Sequence, residues 1–265
     1  GIVAGVAPAA KLAVLDIFNG ANANTSDVLA GINWAIANQA TYDIVAINLS
    51  IGDGGNYSLP CSSSATNPFV VPFANANAAG IVVVAANGND GYSNGINLPA
   101  CTPSAISVGA VYDANVGTKT FTGCSDPTTS ANQIVCFSNS ASYHSLWAPG
   151  AVITAANYIA SGTSQATPHV AGAVALLRSV YPSESVSAIQ TRLLQSRQLI
   201  TDARNGSTKP RLDVLEAVGT AGSGGGVASV DTDIPFLPNW ALSLMIVVFS
   251  SIIFVKAYSY RLIRN

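Results

Sequence analysis

Apolar residues in this chain fall into short unbroken runs, separated by stretches rich in Gly, Ser and Asn. The runs at Asp43–Ile51, Ile81–Ala86 and Ala105–Val111 are dominated by Val, Ile and Ala with almost no alternation. That pattern predicts strands buried on both faces, as in a parallel sheet. Lys11–Phe18 predicts a further strand. Thr25–Gln39 carries Val28, Leu29, Ile32 and Ile36 at helical spacing behind Thr25 or Ser26 as cap. Asn67–Ala79 predicts a helix despite Pro72, and Ser183–Gln198 and Arg211–Val218 predict two amphipathic helices near the end of the patterned region. Strands alternating with helices imply right-handed crossovers, hence an α/β fold with a parallel β-sheet flanked by helices on both faces. Ligands in such folds collect beyond the carboxyl ends of the strands. Ser50-Ile51-Gly52 and Ala86-Asn87-Gly88 fall at two of those ends.

The pattern changes at its carboxyl end. Residues 220–233 include Gly222-Ser223-Gly224-Gly225-Gly226 and read as a flexible linker after a domain spanning 1–219. Ile234–Val255 then runs for 22 residues without a charge, preceded by Asp231 and Asp233 and followed by Lys256, Arg261 and Arg264. About 20 apolar residues span a bilayer, so 234–258 predicts a transmembrane helix in contact with lipid through 234–255. The one-sided basic flank, with 259–265 as a basic tail, predicts a cytoplasmic C-terminus and a domain outside the cytoplasm. The alternative is a buried core helix.

Composition narrows the function. The chain has 265 residues, a net charge of −2 and only 9% charged residues, so no basic surface points to nucleic acid. Mean hydropathy is +0.39. The four cysteines lack metal-ligand spacing. Cys124 and Cys136 flank a polar insertion, and Cys61 and Cys101 sit in loops on either side of the Val82 strand. Bridges 61–101 and 124–136 are the favoured pairing, with free thiols as the alternative. An even count on loops fits an oxidising compartment.

The densest chemistry is Gly162-Thr163-Ser164-Gln165-Ala166-Thr167-Pro168-His169-Val170-Ala171-Gly172. A serine after a glycine turn opens a run of small apolar residues that predicts a buried helix. Its hydroxyl then sits where unsatisfied N–H groups and the positive end of the dipole favour developing negative charge. That suits a nucleophile whose adduct becomes an oxyanion, although an N-capping serine has the same local pattern. The whole run resembles the nucleophile motif of the subtilisin-like serine peptidases, Gly-Thr-Ser-x-Ala-Thr-Pro-His-Val-Ala-Gly, with Gln165 where that family usually has Met. Ala85-Ala86-Asn87-Gly88-Asn89-Asp90-Gly91 resembles the family's Ala-Ala-x-Gly-Asn-x-Gly segment.

This resemblance, which covers Gly1 to about Gly219, implies a serine endopeptidase acting on polypeptides. It implies Ser164 as nucleophile and Asn89 as side-chain donor to the oxyanion. Ser50, Ile51 and Gly52, with Ala86, Asn87 and Gly88, are implied as segments that bind extended substrate backbone. Small residues around Ala86 and Gly88 leave room for a large side chain before the scissile bond. Asp90 at the rim would favour a basic one, or is simply a solvated loop acid. Calcium is frequent in the family, but no ligand cluster stands out here. The tail also resembles bacterial C-terminal sorting signals, which implies a sorting or processing protease acting on it.

A serine nucleophile needs a base, and the base a carboxylate. The only histidines are His144 and His169. His169 lies five residues past Ser164 on the same helix, pointing away, and His144 matches no base position in the family. The opening Gly1-Ile2-Val3-Ala4-Gly5-Val6-Ala7-Pro8 resembles the stretch that follows the family's catalytic histidine motif. The expectation is therefore a base and a carboxylate upstream of Gly1. A catalytically inactive homologue serving as a surface binding module is the alternative.

Overall fold

The computed structural model describes residues 4–20, 22–219 and 244–248. Its centre is a six-stranded sheet in which every neighbouring pair runs parallel. In chain order the strands are β1 (Lys11–Ala13), β2 (Ile44–Leu49), β3 (Val82–Ala86), β4 (Ala105–Val111), β5 (Leu146–Pro149) and β6 (Leu244–Val248). Across the sheet the order is β1-β6-β2-β3-β4-β5. The helices of more than four residues are α1 (Thr25–Ala37), α2 (Val70–Ala78), α3 (Thr163–Val180), α4 (Val186–Leu194) and α5 (Val214–Gly219).

The unbroken apolar runs become intelligible once both faces are covered. Successive strand side chains point to opposite faces. Val82 and Val84 of β3 pack with Val170, Val174 and Leu177 of α3 on one side. Val83 and Ala85 pack with Ile32 of α1 and Phe73 of α2 on the other. The parallel, helix-flanked sheet expected from the alternation of elements is present.

Several boundaries move, each for a local reason. The strand expected over Lys11–Phe18 stops at Ala13. Asp16 Oδ1 accepts the Phe18 N–H at 3.0 Å, and Phe18–Asn19 turns back on Asn22–Ala23 as a separate hairpin. The Asn67–Ala79 helix begins only at Val70, with Asn67 Oδ1 accepting the Phe69 N–H, so Pro72 falls in the first turn, where no N–H is required. The Ser183–Gln198 helix shortens to α4, capped by Ser185, whose hydroxyl accepts the Ala188 N–H at 3.1 Å. Arg211 is not helical but bridges to Trp147 beside β5.

The tail departs furthest from expectation. Of the segment 234–258 read as a membrane helix, only Leu244–Val248 lies within the described residues, and it is a strand. Leu244–Ile246 pairs with Lys11–Ala13, and Leu244–Val248 pairs with β2. No helix among the described residues is long and apolar enough to cross a membrane. The linker 220–233, the remainder of 234–258 and the basic tail 259–265 lie outside the described residues. Both favoured disulfides are formed, Cys61–Cys101 and Cys124–Cys136.

Candidate active site

Two adjacent strand ends and one helix start converge. β2 delivers Ser50-Ile51-Gly52, β3 delivers Asn87-Gly88-Asn89, and α3 opens on Thr163-Ser164. Ser164 therefore sits at the positive end of an 18-residue helix, where negative charge on a bound group is favoured.

The serine is fixed by a reciprocal pair of bonds. Its Oγ donates to the Ser50 carbonyl at 3.1 Å, and Ser50 Oγ donates to the Ser164 carbonyl at 2.8 Å. The second bond has a cause in the sequence. The Ser164 carbonyl would ordinarily accept from the N–H four residues on, but that residue is Pro168, which has none. Ser50 supplies the missing donor and is itself held by Asn48 Nδ2 at 2.9 Å. The helix start is thereby locked to the end of β2.

Asn89 reaches the same place from β3. Its Oδ1 accepts from the Thr163 N–H at 2.8 Å and from Thr163 Oγ1 at 3.0 Å, while Thr163 Oγ1 accepts the Gly88 N–H at 3.1 Å. With Oδ1 committed to two donors, the amide orientation is set, and Nδ2 lies on the side of Gly162. Thr163, fully buried, thus joins the Asn89 loop to the start of the helix that bears Ser164.

Residues given no role by sequence reasoning complete this scaffold. Asn139, fully buried, donates its N–H to the Gly88 carbonyl and Nδ2 to the Asn87 carbonyl and to Asp90 Oδ2. Its Oδ1 accepts from the Asp90 and Tyr92 amides. Asn97 donates Nδ2 to the Gly55 carbonyl at 2.7 Å and to Asp90 Oδ2 at 3.1 Å. Asp90 is an exposed residue, but its Oδ2 turns towards these two asparagines rather than standing free at the rim. Asn87 is occupied internally: its N–H donates to Val108 and its carbonyl accepts from Asn97. Ile51 and Gly52 remain partly or fully accessible.

Neither histidine approaches the serine. His169 Nδ1 lies 2.8 Å from the Gln165 carbonyl on its own helix. His144 is fully buried, its Nδ1 2.7 Å from the Ala141 carbonyl and its ring edge-on to Trp147. Burial pushes its pKa down to about 4, Lys209 and Arg204 adding in the same direction against the Ala141 carbonyl and Asp202. A base that must be neutral in the fold contributes stability above its unfolded pKa of about 6.5, and that stability is lost as pH falls towards 4. The shift corresponds to roughly 3 kcal/mol between those limits. An NMR titration of His144 in the folded chain should give a midpoint near 4; one near 6.5 would overturn the assignment. Among the described residues, no three of His, Cys, Asp or Glu converge in a cluster that would hold a metal ion.

Comparison with known proteins places this geometry. Residues 1–220 match the profile of the Subtilase family. The chain is 36% identical to subtilisin DY of Bacillus licheniformis over 205 residues, covering 76% of this chain and 66% of that protein. It is 35% identical to a subtilisin-like protease of Coccidioides posadasii over 225 residues, covering 79% of this chain and 49% of the relative. The chain thus spans about half to two thirds of the length of these relatives. The prenylagaramide maturation protease PagA superposes with a TM-score of 0.58 at 23% identity, covering 77% of this chain and 70% of that one, a likeness of fold. The match over nearly all of the described residues, together with a serine at the start of a central helix and an asparagine loop joined to it, makes this chain a member of the subtilase family.

Proposed function

We propose that the chain carries the nucleophile and oxyanion site of a serine endopeptidase. The observation that carries this reading is the Thr163 bridge, which holds the Asn89 amide beside the residue that bears the hydroxyl. Ser164 Oγ leaves the Ser50 carbonyl and attacks the scissile carbonyl carbon, passing its proton to a base. The carbonyl oxygen becomes an oxyanion, held by the Ser164 N–H and Asn89 Nδ2 at the helix start. Collapse breaks the C–N bond, the amine leaves with the proton from the base, and water then hydrolyses the acyl-Ser164 ester. Neither histidine of the chain lies at Ser164, so the base that this step needs is neither of them. Ser50–Gly52 and Ala86–Gly88 wall the cleft in which the polypeptide lies.

A fluorophosphonate probe tests this. A form of the protein extended ahead of Gly1 should label at Ser164 and lose the label in Ser164→Ala. The isolated 265-residue chain should stay unlabelled, because without a base the rate falls on the order of a million-fold. Labelling of the isolated chain would remove the need for an upstream base. No labelling of the extended form would leave the binding-module reading.

The two disulfides fit action outside a reducing cytosol. Membrane anchoring through 234–255 requires a form in which residues 244–248 leave the sheet, since they cannot be an interior strand and a membrane helix at once. Carbonate washing of membranes carrying the protein separates the two: retention in the pellet supports the anchor, and release supports the strand.

A further inference from the structure

Ser164 is held on both sides, and the two holds differ in kind. The peptide before it is fixed through Asn89 Oδ1, which accepts the Thr163 N–H at 2.8 Å. The peptide after it is fixed through its carbonyl, which accepts the Ser50 hydroxyl at 2.8 Å. An α-helix ordinarily supplies the second hold itself, from the N–H four residues on. Pro168 has no N–H, so the carbonyl is turned over to a side chain at the end of β2. Ser50 is only 2% exposed, and the fully buried Asn48 donates Nδ2 to its Oγ at 2.9 Å. Positions 48 and 50 share one face of an extended chain, which is what lets the first side chain reach the second. A hydroxyl carries a single proton. With its oxygen accepting from Asn48, the Ser50 proton is directed to the Ser164 carbonyl.

We propose that Asn48 and Ser50 are positioning residues for the reaction at Ser164, standing in for the helix bond that Pro168 removes and tying the nucleophile to the strand end that walls the cleft. This rests on Ser164 being the nucleophile. The argument turns on where the carbonyl is anchored. A helix bond would fix Ser164 relative to α3 alone. The Ser50 bond fixes it relative to the backbone of 50–52, against which the polypeptide lies. The reciprocal bond from Ser164 Oγ to the Ser50 carbonyl, at 3.1 Å, is given up when the hydroxyl attacks. Of the pair, the bond from Ser50 Oγ is the one that persists through the reaction. A misplacement of about 1 Å between reacting groups is enough to cost roughly 100-fold in rate. Neither the Asn48 amide nor the Ser50 hydroxyl touches the reacting atoms in this arrangement, so their loss belongs in kcat rather than in KM.

The test uses the extended form, one peptide anilide, and kcat expressed per Ser164 labelled by a fluorophosphonate. Ser50→Ala should lower kcat by about 10-fold or more with KM nearly unchanged, and Asn48→Ala should lower it by less. The variant that separates this role from a general brace is Pro168→Ala, which returns an N–H to the helix position facing the Ser164 carbonyl. In that background the further change Ser50→Ala should cost no more than about 2-fold in kcat, because the two donors serve the same oxygen and their losses are not additive. Thermal melts of the four proteins report the fold separately. A lowered Tm with kcat per labelled serine unchanged makes the pair a brace only and overturns the proposal. An equal loss of kcat in both backgrounds overturns it too. Should Ser50→Ala alone not fold, a folded and active double variant carries the same support, and a double variant that stays unfolded overturns the exchange of donors. Absence of labelling in the native extended form overturns the nucleophile reading, and the positioning role with it.

Discussion

Asn89→Ala should lower kcat for peptide hydrolysis by about 10²–10³ in the extended form, with KM nearly unchanged. The expectation follows from how the side chain is held. Both donors of Thr163 converge on Asn89 Oδ1, so the amide is oriented before substrate arrives and no reorganisation accompanies the reaction. A donor fixed in this way serves the oxygen mainly when it carries charge, which places its effect on the transition state. Truncation to Ala removes the donor while leaving the Thr163 hydroxyl free to hydrogen-bond elsewhere. Steady-state kinetics on a single anilide substrate, normalised to Ser164 labelling, would read the split. A loss confined to KM, or no loss, would make Asn89 a turn residue only.

A chain ending at Gly219 should lose several kcal/mol of unfolding free energy, or associate through the exposed edge. The reason is β6. All six residues of β2 are buried, and one edge of that strand pairs with β6 from Leu244 to Val248. Removing the partner strands buried N–H and C=O groups that each cost about 1–3 kcal/mol when unpaired. A domain with a total stability of about 5–15 kcal/mol has little margin for several of them. It also exposes an apolar edge to pairing with other chains. Denaturant midpoints of the full and shortened chains give the comparison, with size-exclusion chromatography for association. Equal midpoints would show that β6 contributes nothing to the stability of the sheet.

The contrast between β3 and β6 shows where sequence reading succeeds and where it stops. Ile81–Ala86 is short, β-branched and bounded by Gly80 and Gly88, so its place in a parallel sheet follows from local pattern. Ile246-Val247-Val248 is equally β-branched, but it lies inside 22 uncharged residues, where length argues for a membrane helix. Periodicity does not separate a strand buried on both faces from an apolar helix. The slot it enters, between two strands that are not paired with each other, is visible only in three dimensions. The site divides in the same way. Ser164 and Asn89 each sit in dense local motifs, and their loops come together as those motifs imply. Asn97 and Asn139 act through partners about 40 to 50 residues away, with no local pattern to mark them.

The bridge between Cys61 and Cys101 spans 40 positions and encloses β3, Asn89 and Asn97. Directly inside it, Ser62–Thr66 is an exposed run, the kind of loop tip at which proteases nick a folded chain. A cut there, or anywhere from 62 to 100, produces two pieces that the sulfur–sulfur bond still joins, and the smaller bridge does the same for cuts between 125 and 135. A nicked molecule would therefore run as one band on a gel until thiol is added, then as two. The cleft walls on β2 and β3 would stay tethered on either side of the cut. In surroundings rich in other proteases, loss of a single peptide bond in these loops need not mean loss of the molecule.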